Sequence, residues 1–344
     1  MHEWMEEQMP DSREIVNATL DCAGPERVAR SFAESDFGGC SHTARTHATE
    51  WQRVDATRWE RTDIWGNRWA RVDETSKGEV VEGVFSSVED INVYEFPDFS
   101  NPEDYRAAAE KRAQMPGKFV SGSLPGFAFN IARKLFKLEE YLCCLLTEQQ
   151  KMAALHDRIE KLLADMIVNY AAAGVDGIML CEDWGTQDRT LVSPGLWREE
   201  FFPRFQRLCG LARENGLRVL MHSCGAIGAI VPGLMEAGVD CLQFDQPTLH
   251  GIDNLAAHQA RGRITFWCPV DIQRTLQTRE ETLIRAEARE MLDKLWRGRG
   301  GFIAGYYPDN ASIGLEDKWQ QIACEEFLAR GVAGNYSPAA ASPV

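Results

Sequence analysis

A histidine and a cysteine two residues apart have the clearest chemical capacity in this sequence. His222 and Cys224 follow the run LRVLM at 217–221, which is rich in residues that favour β-strands. If extended geometry continues through them, both side chains project from one face, and an imidazole beside a thiolate is a ligand pair that zinc prefers. Two ligands do not define a site, so a buried cysteine and a capped histidine in a tight glycine turn remain the alternative.

Other polar and aromatic side chains follow the neighbouring predicted strands. Glu182 and Asp183 end one strand and lead into a glycine loop, where they could bind a metal or transfer protons; a solvated strand end is the alternative. Aromatic and amide side chains at the other strand ends could line a substrate pocket, although each taken singly could be a core or rim residue. These pocket candidates are Trp184, Gln187, Gln246, Trp267, Tyr306 and Tyr307.

The elements that position these residues are short strands alternating with helices. Over residues 118–330, β-forming runs alternate with helical patterns of ten or more residues, an order that requires right-handed crossovers and a parallel sheet. At least five such units favour a closed (β/α)8 barrel over an open doubly wound sheet, and in a barrel the candidates above would meet at the carboxyl ends of the strands. No glycine-rich nucleotide-binding motif follows any predicted strand.

Residues 1–117 are interpreted as an N-terminal elaboration of the barrel, because no linker separates them from the rest of a single 1–344 domain. A short helix is predicted over 12–21, and an aromatic, alternating pattern with a polar turn predicts a β-hairpin over 62–87. We expect this segment also to supply the first barrel strand. The carboxyl-terminal residues 337–344, SPAAASPV, are predicted to be disordered.

Composition restricts the class of partner. The chain of 344 residues carries 37 basic and 52 acidic residues, and a net charge of −15 argues against nucleic acid or an anionic membrane surface as a partner. No apolar run approaches the length of a membrane span, and the amino terminus is acidic where a signal peptide would be basic. The ten cysteines are scattered, as is typical of small buried residues in a reducing compartment, so we expect a cytoplasmic protein.

Five short motifs carry a family resemblance. They are GVDGI at 174–178, EDWGTQ at 182–187, SPGLWRE at 193–199, MHSCG at 221–225 and EAGVD at 236–240. Together with the hairpin at 62–87 they resemble the uroporphyrinogen decarboxylase superfamily, and within it the cobamide-dependent methyltransferases. The resemblance implies a (β/α)8 barrel and a zinc ion bound through a His-x-Cys pair plus a later cysteine. It further implies methyl transfer between a small substrate and the cobalt of a separate corrinoid protein.

Two features depart from the family pattern. The decarboxylases carry an arginine-rich RQAGRY strand near the amino terminus, and nothing like it occurs here, so decarboxylation of their substrate is not expected. The zinc-dependent members place their last cysteine in a loop after the final strand, where this chain reads GYYPDN at 305–310. Cys268, at the end of the run RITFWC, is the replacement ligand we predict, with Glu182 or Asp183 completing a tetrahedral set.

These observations lead to one hypothesis and two alternatives. The hypothesis is a zinc-dependent methyltransferase that moves a methyl group from a methoxylated aromatic substrate to a corrinoid protein, with His222, Cys224 and Cys268 as ligands. Zinc would stabilise a leaving phenoxide or deprotonate a thiol. One alternative is a metal-independent decarboxylase or lyase with Asp183 and His222 as the acid–base pair. The other is a barrel that has lost its chemistry and binds a ligand.

Overall fold

Two sheets contain all the strands of residues 10–335, the part of the chain that the computed structural model describes. The strands are β1 (Ala29–Arg30), β2 (Phe37–Cys40), β3 (Gln52–Arg53), β4 (Trp59–Thr62), β5 (Arg68–Arg71), β6 (Glu79–Glu82), β7 (Phe119–Ser123), β8 (Gly177–Cys181), β9 (Arg218–His222), β10 (Cys241–Gln243), β11 (Thr265–Cys268) and β12 (Phe302–Ala304). Eight of them are parallel, in the order β1-β12-β11-β10-β9-β8-β7-β2, and form a nearly closed barrel. The predicted (β/α)8 fold is confirmed.

Helices connect the barrel strands and pack around them. They are α1 (Ser12–Leu20), α2 (Arg106–Ala113), α3 (Ala128–Phe136), α4 (Leu138–Thr147), α5 (Gln149–Ala172), α6 (Pro194–Leu196), α7 (Phe202–Glu214), α8 (Val231–Ala237), α9 (Ile252–Arg261), α10 (Thr275–Thr278), α11 (Glu281–Met291) and α12 (Asp317–Arg330). Within residues 10–335, none of these helices combines the length and the apolar character needed to cross a bilayer.

Side chains alternate along each barrel strand between the lumen and the outer face that the helices cover. The lower lumen is filled by a small apolar cluster, whereas the strand residues between its members belong to the large outer core. The lumen cluster includes Ala29, Phe119, Leu220, Cys241 and Ile303. The alternation therefore decides which residues at the strand ends can reach a common site.

Helix α1 closes the amino-terminal end of the barrel. It begins at a capping box formed by Asp11 and Glu14, and Val16 and Leu20 on its apolar face are buried against the lower lumen cluster. The carbonyl of Thr19 accepts a 2.8 Å hydrogen bond from the backbone N–H that precedes β12. We call the other end of the lumen, at the carboxyl ends of the strands, the mouth.

A four-stranded antiparallel sheet, in the order β3-β4-β5-β6, is separate from the barrel sheet and reaches the mouth through Lys77. It contains the predicted hairpin as β5 and β6, and extends it with two more strands. Arginine guanidinium groups stack on its tryptophans: Arg61 and Arg71 lie 4.8 and 4.5 Å from the ring of Trp51. The turn between β5 and β6 carries Lys77, whose Nζ donates a 2.9 Å hydrogen bond to Tyr307 Oη beyond the end of β12.

The amino-terminal residues form part of the barrel itself, in addition to the elaboration that was predicted. The expected first barrel strand is present as β1, and β2 is a second one, so residues 118–330 hold six of the eight strands. The predicted helix over 12–21 is confirmed as α1. The segment 337–344 lies outside the described residues.

A fragment of residues 118–330 should be insoluble, or should lack a cooperative thermal transition. It loses β1, β2 and the helix that closes the lumen, which exposes strand edges and the apolar cluster to water. Circular dichroism melts of this fragment, beside a chain of residues 10–335, measure the effect. A fragment that melts as cooperatively as the longer chain would show that the first strands are dispensable.

Candidate active site

The loops after β8 and β9 are held together by a close contact between two glycines. A Cβ at Gly225, whose φ is +77°, would lie 2.3 Å from the carbonyl of Gly185, so a larger residue does not fit. The Gly185 N–H donates to Cys224 O at 3.2 Å, and the Ala226 N–H donates to Thr186 O at 2.7 Å. These contacts bring Asp183, two residues before Gly185, close to Cys224, which directly precedes Gly225.

Asp183, His222 and Cys224 meet at that point. His222 Nε2 lies 3.2 Å from Cys224 Sγ and 3.6 Å from Asp183 Oδ1, and the Cys224 N–H donates to the same oxygen at 3.1 Å. The carboxylate oxygen, the imidazole nitrogen and the thiol sulfur all lie within 4.8 Å of one another. These three groups could hold one metal ion of the kind that accepts mixed oxygen, nitrogen and sulfur ligands.

The orientation of His222 is set by Gln243, its neighbour across the β9–β10 ladder. Gln243 Nε2 donates to Asp245 Oδ1 at 2.8 Å, which leaves Gln243 Oε1 to face His222 Nδ1. Because an amide oxygen only accepts, Nδ1 carries the proton and the lone pair of Nε2 faces Cys224 and Asp183. A second residue that fixes the ring in this way is usual for a histidine that binds a metal.

The mouth disfavours a free thiolate. Cys224 is accessible from the lumen, yet the walls around it exclude much of the bulk solvent, and this desolvation raises the pKa of its thiol to about 12. That pKa includes a smaller rise caused by the charges of Asp183 and Asp245 and a lowering caused by Lys77. The other oxygen of Asp183 lies 3.3 Å from the guanidinium of Arg133. Cys224 is therefore a neutral thiol at pH 7 unless a cation binds beside it.

Two of the predicted pocket residues also lie at the lumen or mouth. The ring of Trp267 stacks on Phe37 with centroids 4.5 Å apart, and its Nε1 donates to Ser31 Oγ at 3.3 Å, so it faces the lumen. Tyr307 is buried under Lys77, whose Nζ lies 5.1 Å from the centre of its ring. Trp267 therefore faces the lumen across from the cluster, and Tyr307 lies under Lys77 beyond the end of β12.

The structure places Cys268 and Glu182 away from the mouth. Cys268 follows the inward-facing Trp267, so its side chain points outward. It is fully buried, and among the described residues it does not belong to the cluster of Asp183, His222 and Cys224. Glu182 is also fully buried on the outer side. Its Oε1 accepts hydrogen bonds from the N–H groups of Phe127 and Asn130, at the start of α3. Burial raises the pKa of Glu182 to about 8, so it is mostly protonated at pH 7.

Four further candidates are not part of the cluster. Trp184 is buried in the outer core, stacked on Phe129 at 4.1 Å. Gln187 is exposed on the loop after β8, and Gln246 is buried in the loop after β10. Tyr306 lines a shallow surface cavity beside α12, where its hydroxyl accepts from Asn310 Nδ2 at 3.1 Å.

The sequence analysis missed Gln243, Lys77 and Cys181. Gln243 lies two residues before Asp245, with Phe244 between them, so the two-residue period of β10 could have placed Gln243 in the lumen. Cys181 is the register partner of His222 and is accessible from the lumen. Lys77 lies in an exposed polar turn, and no local pattern indicates its contact with Tyr307, 230 residues further along the chain.

Comparisons with known proteins agree with this fold. A family model described as Uroporphyrinogen decarboxylase (URO-D) matches residues 72–306. The structure of a methyltransferase from Methanosarcina mazei superposes with a TM-score of 0.57 at 15% identity, over 95% of this chain and 87% of that one. At this identity the likeness shows a shared fold. A D-psicose 3-epimerase structure gives a TM-score of 0.41 at 10% identity, over 70% of this chain and 85% of that one. No curated protein matches the sequence.

Replacing Glu182 should change stability and leave the cluster intact. Glu182→Ala leaves two buried N–H groups without an acceptor and should lower the free energy of unfolding by about 2–4 kcal/mol. Glu182→Gln resembles the protonated acid and keeps an acceptor, so it should stay within about 1 kcal/mol of the parent. Urea denaturation at pH 7 measures both. A fully stable Glu182→Ala protein would contradict the capping role.

Proposed function

Because the chain belongs to the uroporphyrinogen decarboxylase family, we propose that its barrel catalyses methyl transfer from a methoxylated aromatic substrate to the cobalt of a separate corrinoid protein. The observation that carries the proposal is the cluster of Asp183, His222 and Cys224 at the mouth. The shared fold with a methyltransferase supports the reaction class. The ring of Trp267, which faces the lumen, supports a planar substrate, and Tyr307 is the second aromatic side chain that we propose contacts it.

Zinc is the metal that we propose for the cluster. His222 Nε2 and Cys224 Sγ would be ligands, and an oxygen of Asp183 would replace the predicted Cys268, which faces the outer core. The residues fit a dication for two reasons. It would offset the unfavourable ionisation of Cys224, and it would bind the lone pair of His222 Nε2, which Gln243 already orients. When bound, zinc supplies a Lewis acid for an oxygen that becomes negatively charged.

The side chains of the mouth would position the substrate. Trp267 and Tyr307 would contact the faces of its ring, and the cluster across the lumen would lie beside its ether oxygen. The methyl group would pass without its bonding electrons to cobalt(I), giving methylcobalt(III), while both electrons of the carbon–oxygen bond stay on the oxygen. The phenoxide would then take a proton from water at the open mouth to leave as a phenol.

The purified protein should contain about one zinc per chain. Cys224→Ser should lose most of it, because a hydroxyl is a far poorer zinc ligand than a thiolate, and Asp183→Asn should weaken binding. Cys268→Ser is the matched control: it changes a buried thiol that faces away from the mouth, so zinc should remain. Elemental analysis of protein purified without chelators measures the content.

The metal content also separates the proposal from its alternatives. Full zinc in Cys224→Ser, or its loss in Cys268→Ser, would contradict the ligand set. A lyase that uses Asp183 and His222 as its acid–base pair, or a barrel that only binds a ligand, does not require the metal. A protein free of metal that stays folded and is not activated by zinc would favour those alternatives.

Methoxybenzenes should be demethylated in preference to methanol or methylamines when a cobalt(I) corrinoid protein is present. Trp267→Ala and Tyr307→Ala should each lower turnover of the aromatic donors roughly tenfold or more, because they remove ring contacts. Tyr306→Phe, in the surface cavity, is the control and should retain activity. The visible spectrum of the corrinoid reports methyl transfer. Turnover of the aliphatic donors alone would rule out the aromatic pocket.

A further inference from the structure

Lys77 brings a positive charge to the mouth without a carboxylate in contact with it. Its Nζ donates to the neutral hydroxyl of Tyr307, and within residues 10–335 no carboxylate oxygen forms an ion pair with it at 4.0 Å or less. The side chain is exposed, and its hydrogen bond to Tyr307 joins the β5–β6 turn to the barrel. An ammonium group has three donors, so two remain available for a ligand.

The nearby acidic groups already have partners of their own. Asp245 and Asp309 are close enough to Lys77 to act on its charge. Asp245 accepts from the amide of Gln243, and Asp309 accepts from the Ser312 N–H at 3.3 Å. Arg133, the cation beside the cluster, contacts Asp183 instead. Lys77 thus differs from Arg133 in presenting a charge that no contacting carboxylate balances.

Lys77 also lies across the lumen from the cluster. Tyr307 follows β12, and β10 and β11 separate that strand from β9, which carries His222. Trp267, on β11, faces the lumen between Tyr307 and His222. A planar molecule lying against Trp267 can therefore place one substituent at the cluster and another at Lys77.

We propose that Lys77 and Tyr307 bind a carboxylate on the substrate, on the far side of its ring from the methoxy group. The ammonium donates to one carboxylate oxygen, and the tyrosine hydroxyl, which accepts from Lys77, donates its own proton to the other. The identity of the methoxy end rests on the proposed function. The carboxylate site itself rests on Lys77, Tyr307 and Trp267 and does not require methyl transfer.

Calorimetric titration without a corrinoid protein tests the site, because binding is then measured without turnover. The probes are 3,4-dimethoxybenzoate and its neutral analogue 3,4-dimethoxybenzamide. The parent protein should bind the benzoate more tightly. Lys77→Met should reduce that preference roughly tenfold or more, the usual value of a charge-assisted hydrogen bond, and Lys77→Arg should retain much of it.

Lys137→Met is the matched control. Lys137 is an exposed lysine that lines a neighbouring cleft between β6 and the α3–α4 junction, and its loss should leave the preference unchanged. Equal binding of acid and amide by the parent, or a preference that survives Lys77→Met, would overturn the proposal. A preference lost in Lys137→Met instead would place the anion in that cleft and overturn it too.

The inference and the proposed function can fail separately. Methyl transfer from neutral methoxybenzenes, with no preference for the benzoate, would overturn the carboxylate site and leave the function standing. Binding of the benzoate that depends on Lys77, with no methyl transfer from any donor, would support the site and contradict the function. Thermal melts of each variant confirm that the binding differences arise in folded protein.

Discussion

The two-residue period of the barrel strands is the constraint on which both the core and the mouth depend. On β9 it points His222 into the lumen above Leu220, and on β11 it points Trp267 inward and Cys268 outward. A shift of one residue in either strand would exchange the apolar and polar sets between lumen and outer core. The pairing that buries the core is therefore also what selects the residues of the site.

Beyond the strand ends, the backbone contact between Gly185 and Gly225 positions the two loops that carry residues of the site. It holds two loops so closely that Asp183 and Cys224 share a hydrogen bond, although they follow different strands. The result is a carboxylate, an oriented imidazole and a thiol that does not ionise readily in one small volume. A dication bound there, as proposed, would favour the ionised thiol beside the oriented imidazole, which joins the geometry of the mouth to the chemistry proposed for it.

The alternation of strand and helix patterns in the sequence predicted most of the barrel. The site was predicted less completely, because it depends on the direction in which each side chain points. The His222–Cys224 spacing fixed their common face, but Glu182 and Cys268 were predicted at the mouth because their strands end there, and strand position alone does not reveal which way a side chain points. The strands β1 and β2 were not predicted as defined elements, because β1 has only two residues and β2 contains two glycines, which are depleted in strands. The contact of Lys77 arises from tertiary packing alone.

Helix α1 blocks the amino-terminal end of the lumen. Because the lower end is closed by Val16 and Leu20, a molecule that enters beside Lys77 must also leave there. A macromolecule docked over this entrance would enclose whatever lies beneath it. If the proposed corrinoid protein docks there, the small molecule has to enter first, and its product can leave only after the partner has withdrawn.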